Sequence, residues 1–97
     1  MIKAKKIIEA VCKEASVRES QLLSASRVFP LVAARMLAIL LMERRGYTDE
    51  KIGWILNRAR VTITSLRAKS HDELDTNPSF RQRYETLKHS LDNEQSV

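Results

Sequence analysis

Cysteine occurs once in these 97 residues, at Cys12, glycine and proline twice each, and Phe, Trp and Tyr together make up only 5% of the chain. Each scarcity excludes something. A single cysteine cannot close an internal disulfide, and His71 and His89 have no second thiol with which to share a zinc ion. Two glycines and two prolines supply little of the turn chemistry that joins strands, while Leu, Ala, Arg, Lys and Glu are plentiful, so the composition points to an all-α fold. The few aromatics argue against the stacking platforms of single-strand binders. Long apolar runs are missing as well. The longest, 36–42, falls far short of the ~20 residues that cross a bilayer, and Glu9, Lys13 and Glu14 interrupt anything that could serve as a signal-peptide core. A cytoplasmic protein with no membrane partner is expected. The length fits one domain with a modest core, too small to wall off a deep substrate cavity. No enzyme, metal or cofactor is therefore expected.

What is present reads as about six helices. Ala4, Ile7, Ile8, Val11 and Ala15 recur at three- and four-residue steps, which makes an amphipathic helix with Cys12 near its apolar side as a small hydrophobe. Ser16 and Glu19 have the spacing of a capping box for a short second helix ending near Leu23, and 24–27 reads as a loop. Phe29-Pro30 opens a long helix running to Arg45, with Gly46 as its C-cap. That helix is apolar around most of its circumference, so it should be central. Thr48 caps the next one, with Asp49 and Glu50 in its first turn. A helix over about 48–56, a tight connection with Asn57 in the left-handed conformation, and a second helix over about 61–71 form a helix-turn-helix pattern across 48–71. His71 then ends that helix as a cation beside Asp72, and Asp72, Glu73 and Asp75 read as a solvated helix end. Asn77-Pro78 opens a last helix over 78–92, with Phe80, Tyr84, Leu87 and Leu91 on one stripe. Residues 1–92 form one domain, and 93–97 are expected to be a disordered tail. Trp54 and Tyr47 read as core packing ahead of rings exposed for a partner.

Charge is unevenly distributed. Residues 1–71 carry 14 Lys and Arg against 6 Asp and Glu, whereas 72–97 carry 3 against 6. Between Lys51 and Asp72 there is no acidic residue, yet Arg58, Arg60, Arg67 and Lys69 all fall there. An ordinary solvated basic face is one explanation of such a patch. Neutralisation of nucleic-acid phosphates is the other, and the helix-turn-helix spacing favours it, for double-stranded DNA. In the second helix of the pattern Ile63 and Leu66 should face inward. Thr62, Ser65 and Lys69 then share an outer stripe flanked by Val61, Thr64 and Arg67. Short hydroxyls let the backbone approach a groove, Val61 suits a thymine methyl, and Arg60 suits bidentate bonding to guanine. The competing expectation is a protein-interaction module that pairs with itself or another protein through Phe80, Tyr84, Leu87 and Leu91.

The order of residues over about 7–72 resembles the C-terminal DNA-binding domain of the bacterial chromosomal replication initiator DnaA, a helical fold related to the Trp repressor. The resemblance rests on Leu22-Leu23-Ser24, on Ala34-Arg35-Met36-Leu37-Ala38 in the long helix, and on Ile52-Gly53 in the helix before the turn. The family's Gly-Gly-Arg-Asp-His-Thr-Thr-Val falls on 57–64, where Thr62 is identical while Arg60 and Val61 replace Asp and His. By position the resemblance implies that Arg60, Val61 and Thr62 read the major groove, that Arg27 enters the minor groove, and that Arg35 supports backbone contacts. It implies a sequence-specific DNA-binding role in replication or transcription regulation. The family's ATPase module has no counterpart here, since the sequence contains no phosphate-binding Gly-x-x-x-x-Gly-Lys-Ser/Thr loop.

Overall fold

A computed structural model describes residues 3–95. These form six helices and no strand: α1 Ala4–Ala15, α2 Glu19–Leu22, α3 Phe29–Arg44, α4 Asp49–Leu56, α5 Arg60–Thr76 and α6 Pro78–Gln95. The all-α expectation is met. Of the expected tail, 93–95 continue α6, while 96 and 97 lie outside the described residues, as do Met1 and Ile2.

Helix α3 is the axis of the fold, as its sequence requires. All eleven residues from Leu31 to Met42 other than Val32 are buried, Arg35 among them. A helix apolar on every side can only be satisfied by neighbours all round, and α1, α2, α4, α5 and α6 all pack against it. Ile7, Ile8 and Val11 cover it from α1, Ile52 and Leu56 from α4, and Ile63 from α5. Phe80, Leu87 and Leu91 complete the core from α6, with Tyr84 half-buried beside them. The α6 stripe is therefore spent inside its own domain. This overturns its expected role as an external pairing surface: an amphipathic helix covers its nearest apolar partners, which here are α1, α3 and α5 of the same chain.

Local chemistry sets the helix ends. Thr48 Oγ1 accepts the Lys51 backbone N–H at 3.2 Å, capping α4. Asn77 Oδ1 accepts the Phe80 N–H at 3.1 Å and opens α6 at Pro78. Gly46 follows α3 at φ +87°, and Asn57 ends α4 at φ 58°. Two expectations need correction. Ser16 does not cap α2; it ends α1 in a left-handed conformation at φ 56°, and α2 is opened by Gln21 Oε1 accepting the Arg18 N–H at 2.8 Å. Helix α5 also continues past His71 to Thr76, because no breaker intervenes before Asn77-Pro78. His71 is thus mid-helix, its Nε2 2.7 Å from Glu43 Oε1, and not a terminal cation.

Candidate nucleic-acid interface

Helices α4 and α5 are joined by 57–59, a turn made tight by Gly53. A Cβ at Gly53 would stand 2.5 Å from the Arg58 carbonyl oxygen, so only glycine allows the turn to fold back this closely. The Arg58 N–H donates to the Gly53 carbonyl at 2.8 Å and closes it. Asn57 is the one non-glycine residue of the turn at positive φ, which Asn tolerates better than other side chains.

The turn is also tied to the α2–α3 connection. Asn57 Nδ2 donates to the Leu23 carbonyl at 3.4 Å, and Arg58 donates to the carbonyls of Leu56, Asn57 and Ser24. Beneath them Arg35, 3% exposed, donates from Nε to Leu22 O at 2.7 Å, from Nη1 to Ser26 O at 2.6 Å, and from Nη2 to Ser24 O at 2.8 Å and Gln21 O at 3.2 Å. Burial, then the nearby charge of Arg58, lowers the Arg35 pKa from its ordinary value. Carbonyl dipoles, with no carboxylate among its bonded partners, satisfy this cation. Arg35 therefore holds the loop that carries Arg27 and is not itself available to a ligand. The half-buried Arg58 acts in the same way.

Between this loop and α5 lies a groove of about 690 Å³. Arg27 and Arg35 stand on the loop side, Asn57 and Arg58 at the turn, and Val61, Thr62, Ser65 and Lys69 along α5. No carboxylate lines it. Thr62, Ser65 and Lys69 are exposed on one stripe of α5, as their spacing requires, and Val61 is 70% exposed beside them. Among the described residues the side chains of Arg27, Arg60 and Lys69 have no ion-pair or hydrogen-bond partner.

The other flank of α5 behaves differently. Arg60, Thr64, Arg67 and His71 follow one another at helical steps and face Asp49 of α4 and Glu43 of α3. Arg67 grips Asp49 with both Nε and Nη2 at 2.9 Å and reaches Glu43 with Nη1 at 3.3 Å. Thr64 Oγ1 donates to Asp49 Oδ2 at 2.7 Å. These bonds, Arg67 first, hold the Asp49 carboxyl below the usual carboxylate range. Arg67 and Thr64 were expected among the DNA contacts; the structure instead commits both to carboxylates brought close by α3 and α4, a pairing invisible in a stretch that itself contains no acid. Arg60 lies outside the groove, exposed at the start of α5.

Some features went unread in the sequence. Trp54 is 85% exposed, not packed, whereas Tyr47 does pack against the core. Phe29 at 72% and Val28 at 56% are exposed where α3 begins. Asn57 lines the groove as well, a place beyond its turn geometry that nothing in the residue order signals. Cys12 is half-buried against the core, and burial followed by Glu19 raises its thiol pKa, which disfavours the thiolate. No three His, Cys, Asp or Glu side chains among the described residues gather as a metal ion would need, and none of the described helices is long and apolar enough to cross a membrane. No protein-family model and no curated protein sequence matches this chain.

Proposed function

We propose that the protein binds double-stranded DNA sequence-specifically as a helix-turn-helix module of the DnaA C-terminal kind, without ATPase activity, in the regulation of replication or transcription. The first turns of α5 enter the major groove, and the loop carrying Arg27 reaches the adjacent minor groove. One observation carries this reading: the groove beside α5 gathers cations and short hydroxyls and no carboxylate, on a surface where signs otherwise mix. Thr62, Ser65 and Val61 present hydroxyls and a methyl-sized apolar contact to base edges, Arg60 a guanidinium suited to guanine, and Arg27 and Lys69 charges to phosphates. Arg35 and Arg58 hold the two contacting elements at fixed separation. Arg67 and Thr64 fix α5 from behind.

Selection of duplexes from a random pool identifies the site, and fluorescence anisotropy on that site then tests the residues. If Arg27 and Lys69 each neutralise one phosphate, log affinity falls with log salt with a slope of about −1.8 or steeper. Lys69→Ala then reduces the slope by about 0.9 without changing the preferred sequence. Arg60→Ala relaxes the preference at one base pair. Failure of every duplex to bind at low salt, or a slope unmoved by Lys69→Ala and Arg27→Ala together, overturns the reading.

A further inference from the structure

A Trp side chain 85% exposed on a helix is uncommon in a chain with a single tryptophan and a well-filled core. Trp54 has a definite neighbourhood. It lines a concavity of about 540 Å³ together with Glu50, Gly53, Asn57, Arg58, Ala59 and Arg60. Asn57, Arg58 and Ala59 line the groove beside α5 as well, so the two hollows meet across the turn. The ring thus stands at the N-terminal end of α5, next to the exposed Arg60, with two arginines and one acid, Glu50, around it. Helix α5 starts there without a side-chain cap on Ala59 and without an acid in its first turn.

We infer that Trp54 is a further DNA contact, packing its ring on the sugar-phosphate backbone at the edge of the footprint while its indole N–H donates to a phosphate oxygen. This rests on the duplex-binding reading and extends it to α4. Charge complementarity and continuity with the groove select this occupant: an anionic backbone lying along α5 passes the turn and meets Arg60 and the ring together. A large flat apolar surface with one donor suits a deoxyribose and its phosphate. Glu50, one helical turn before Trp54, is the single acid lining this concavity, against Arg58 and Arg60.

The single tryptophan is its own reporter. Titrating the full chain with the selected duplex should change the indole emission in parallel with the anisotropy of labelled DNA. Trp54→Ala should weaken that duplex by about tenfold with the site preference retained, and Trp54→Phe by about threefold, since the ring stays and the donor goes. Circular dichroism of both variants should match the parent, as the side chain is outside the core. If labelled duplex binds but the emission is unmoved and Trp54→Ala binds equally well, the Trp54 contact is wrong and the groove reading stands. Emission that changes with protein concentration alone, without DNA, assigns the ring to self-association and likewise overturns the contact. If no duplex binds at low salt, the groove reading fails and this contact fails with it.

Discussion

Replacement of Arg35 by alanine tests how the interface is held together. The guanidinium is shared by four backbone carbonyls, those of Gln21, Leu22, Ser24 and Ser26. A hydrogen bond involving a charged group contributes about 1.5–3 kcal/mol, and a buried acceptor left unpaired costs about 1–3 kcal/mol. Simple addition over four bonds overshoots, because the loop is at the surface and some of its carbonyls can turn to water once released. Removal also relieves the desolvation of a buried charge that no carboxylate offsets. Counting the two shortest bonds in full and the others as rehydrated gives a loss of about 3–5 kcal/mol. Domains of this size have about 5–15 kcal/mol in total, so the variant should be close to its limit. Its midpoint should fall by at least about 12 °C, at about 4–8 °C per kcal/mol. Arg35→Met restores volume without donors and should recover little; Arg35→Lys restores a charge without the planar fork and should recover about half. Thermal and urea denaturation followed by circular dichroism measure all three variants. A loss below about 1 kcal/mol for Arg35→Ala at unchanged m-value would refute the clamp, since it would mean that the loop stays in place without its donors.

Three other outcomes follow from the same packing. Gly53→Ala drives a Cβ to 2.5 Å from backbone at Arg58 and should cost about 1–3 kcal/mol while weakening duplex binding, because the turn must open; urea denaturation and anisotropy check both. Asp49 is held below its ordinary pKa by Arg67 and Thr64, and Asp92 by Arg44. A carboxyl depressed in the folded state adds stability above its unfolded value of about 3.9, and that stability is lost as pH falls through this value toward the folded one. Denaturation midpoints from pH 5 down should therefore fall, and fall less in Asp49→Asn; equal falls count against the network. Leu87→Asp places an unpaired carboxylate among core side chains and should unfold the chain at neutral pH, as seen by loss of helical dichroism. A folded Leu87→Asp protein with altered self-association would instead restore the outward-facing stripe.

Elements whose chemistry is local were legible in the sequence. Pro78 after Asn77, Gly46 after a long apolar run, and Thr48 before Asp49 and Glu50 each encode a helix end within four residues, and the structure places ends there. The stripe of Thr62, Ser65 and Lys69 followed from Ile63 facing inward, and it is exposed. Pairings between distant positions were not legible. Nothing near Arg67 announces Asp49 or Glu43, which lie 18 and 24 residues away. Nothing near Arg35 announces that four carbonyls of α2 and the loop after it converge on it. Trp54 misled for a related reason: at its position the hydrophobic pattern of α4 is already satisfied by Ile52, Ile55 and Leu56, so the ring was surplus to the core. The α6 stripe was read correctly as apolar but its partner was not, because periodicity gives a face and never says what covers it.

Helix α5 is a helix with two committed flanks and one open one, and this division makes its open flank usable. A reading helix must be rigid where it is held and unsatisfied where it reads. Ile63 and Ser70 are buried against the body of the domain, and Arg67 and Thr64 bind Asp49 across the α4 contact, so α5 cannot roll about its axis without breaking ion pairs that are only partly exposed to water. The same carboxylates draw two of the helix's polar groups away from solvent and leave Thr62, Ser65 and Lys69 on the open flank, with Arg60 exposed at the helix start beside Asp49. On the facing wall Arg35 spends its charge inside, on carbonyl groups, so that Arg27 can spend its own outside. Cations in this domain therefore fall into two kinds, those that build the groove and those that face out from it, and only the second kind should alter the salt dependence of DNA binding when removed.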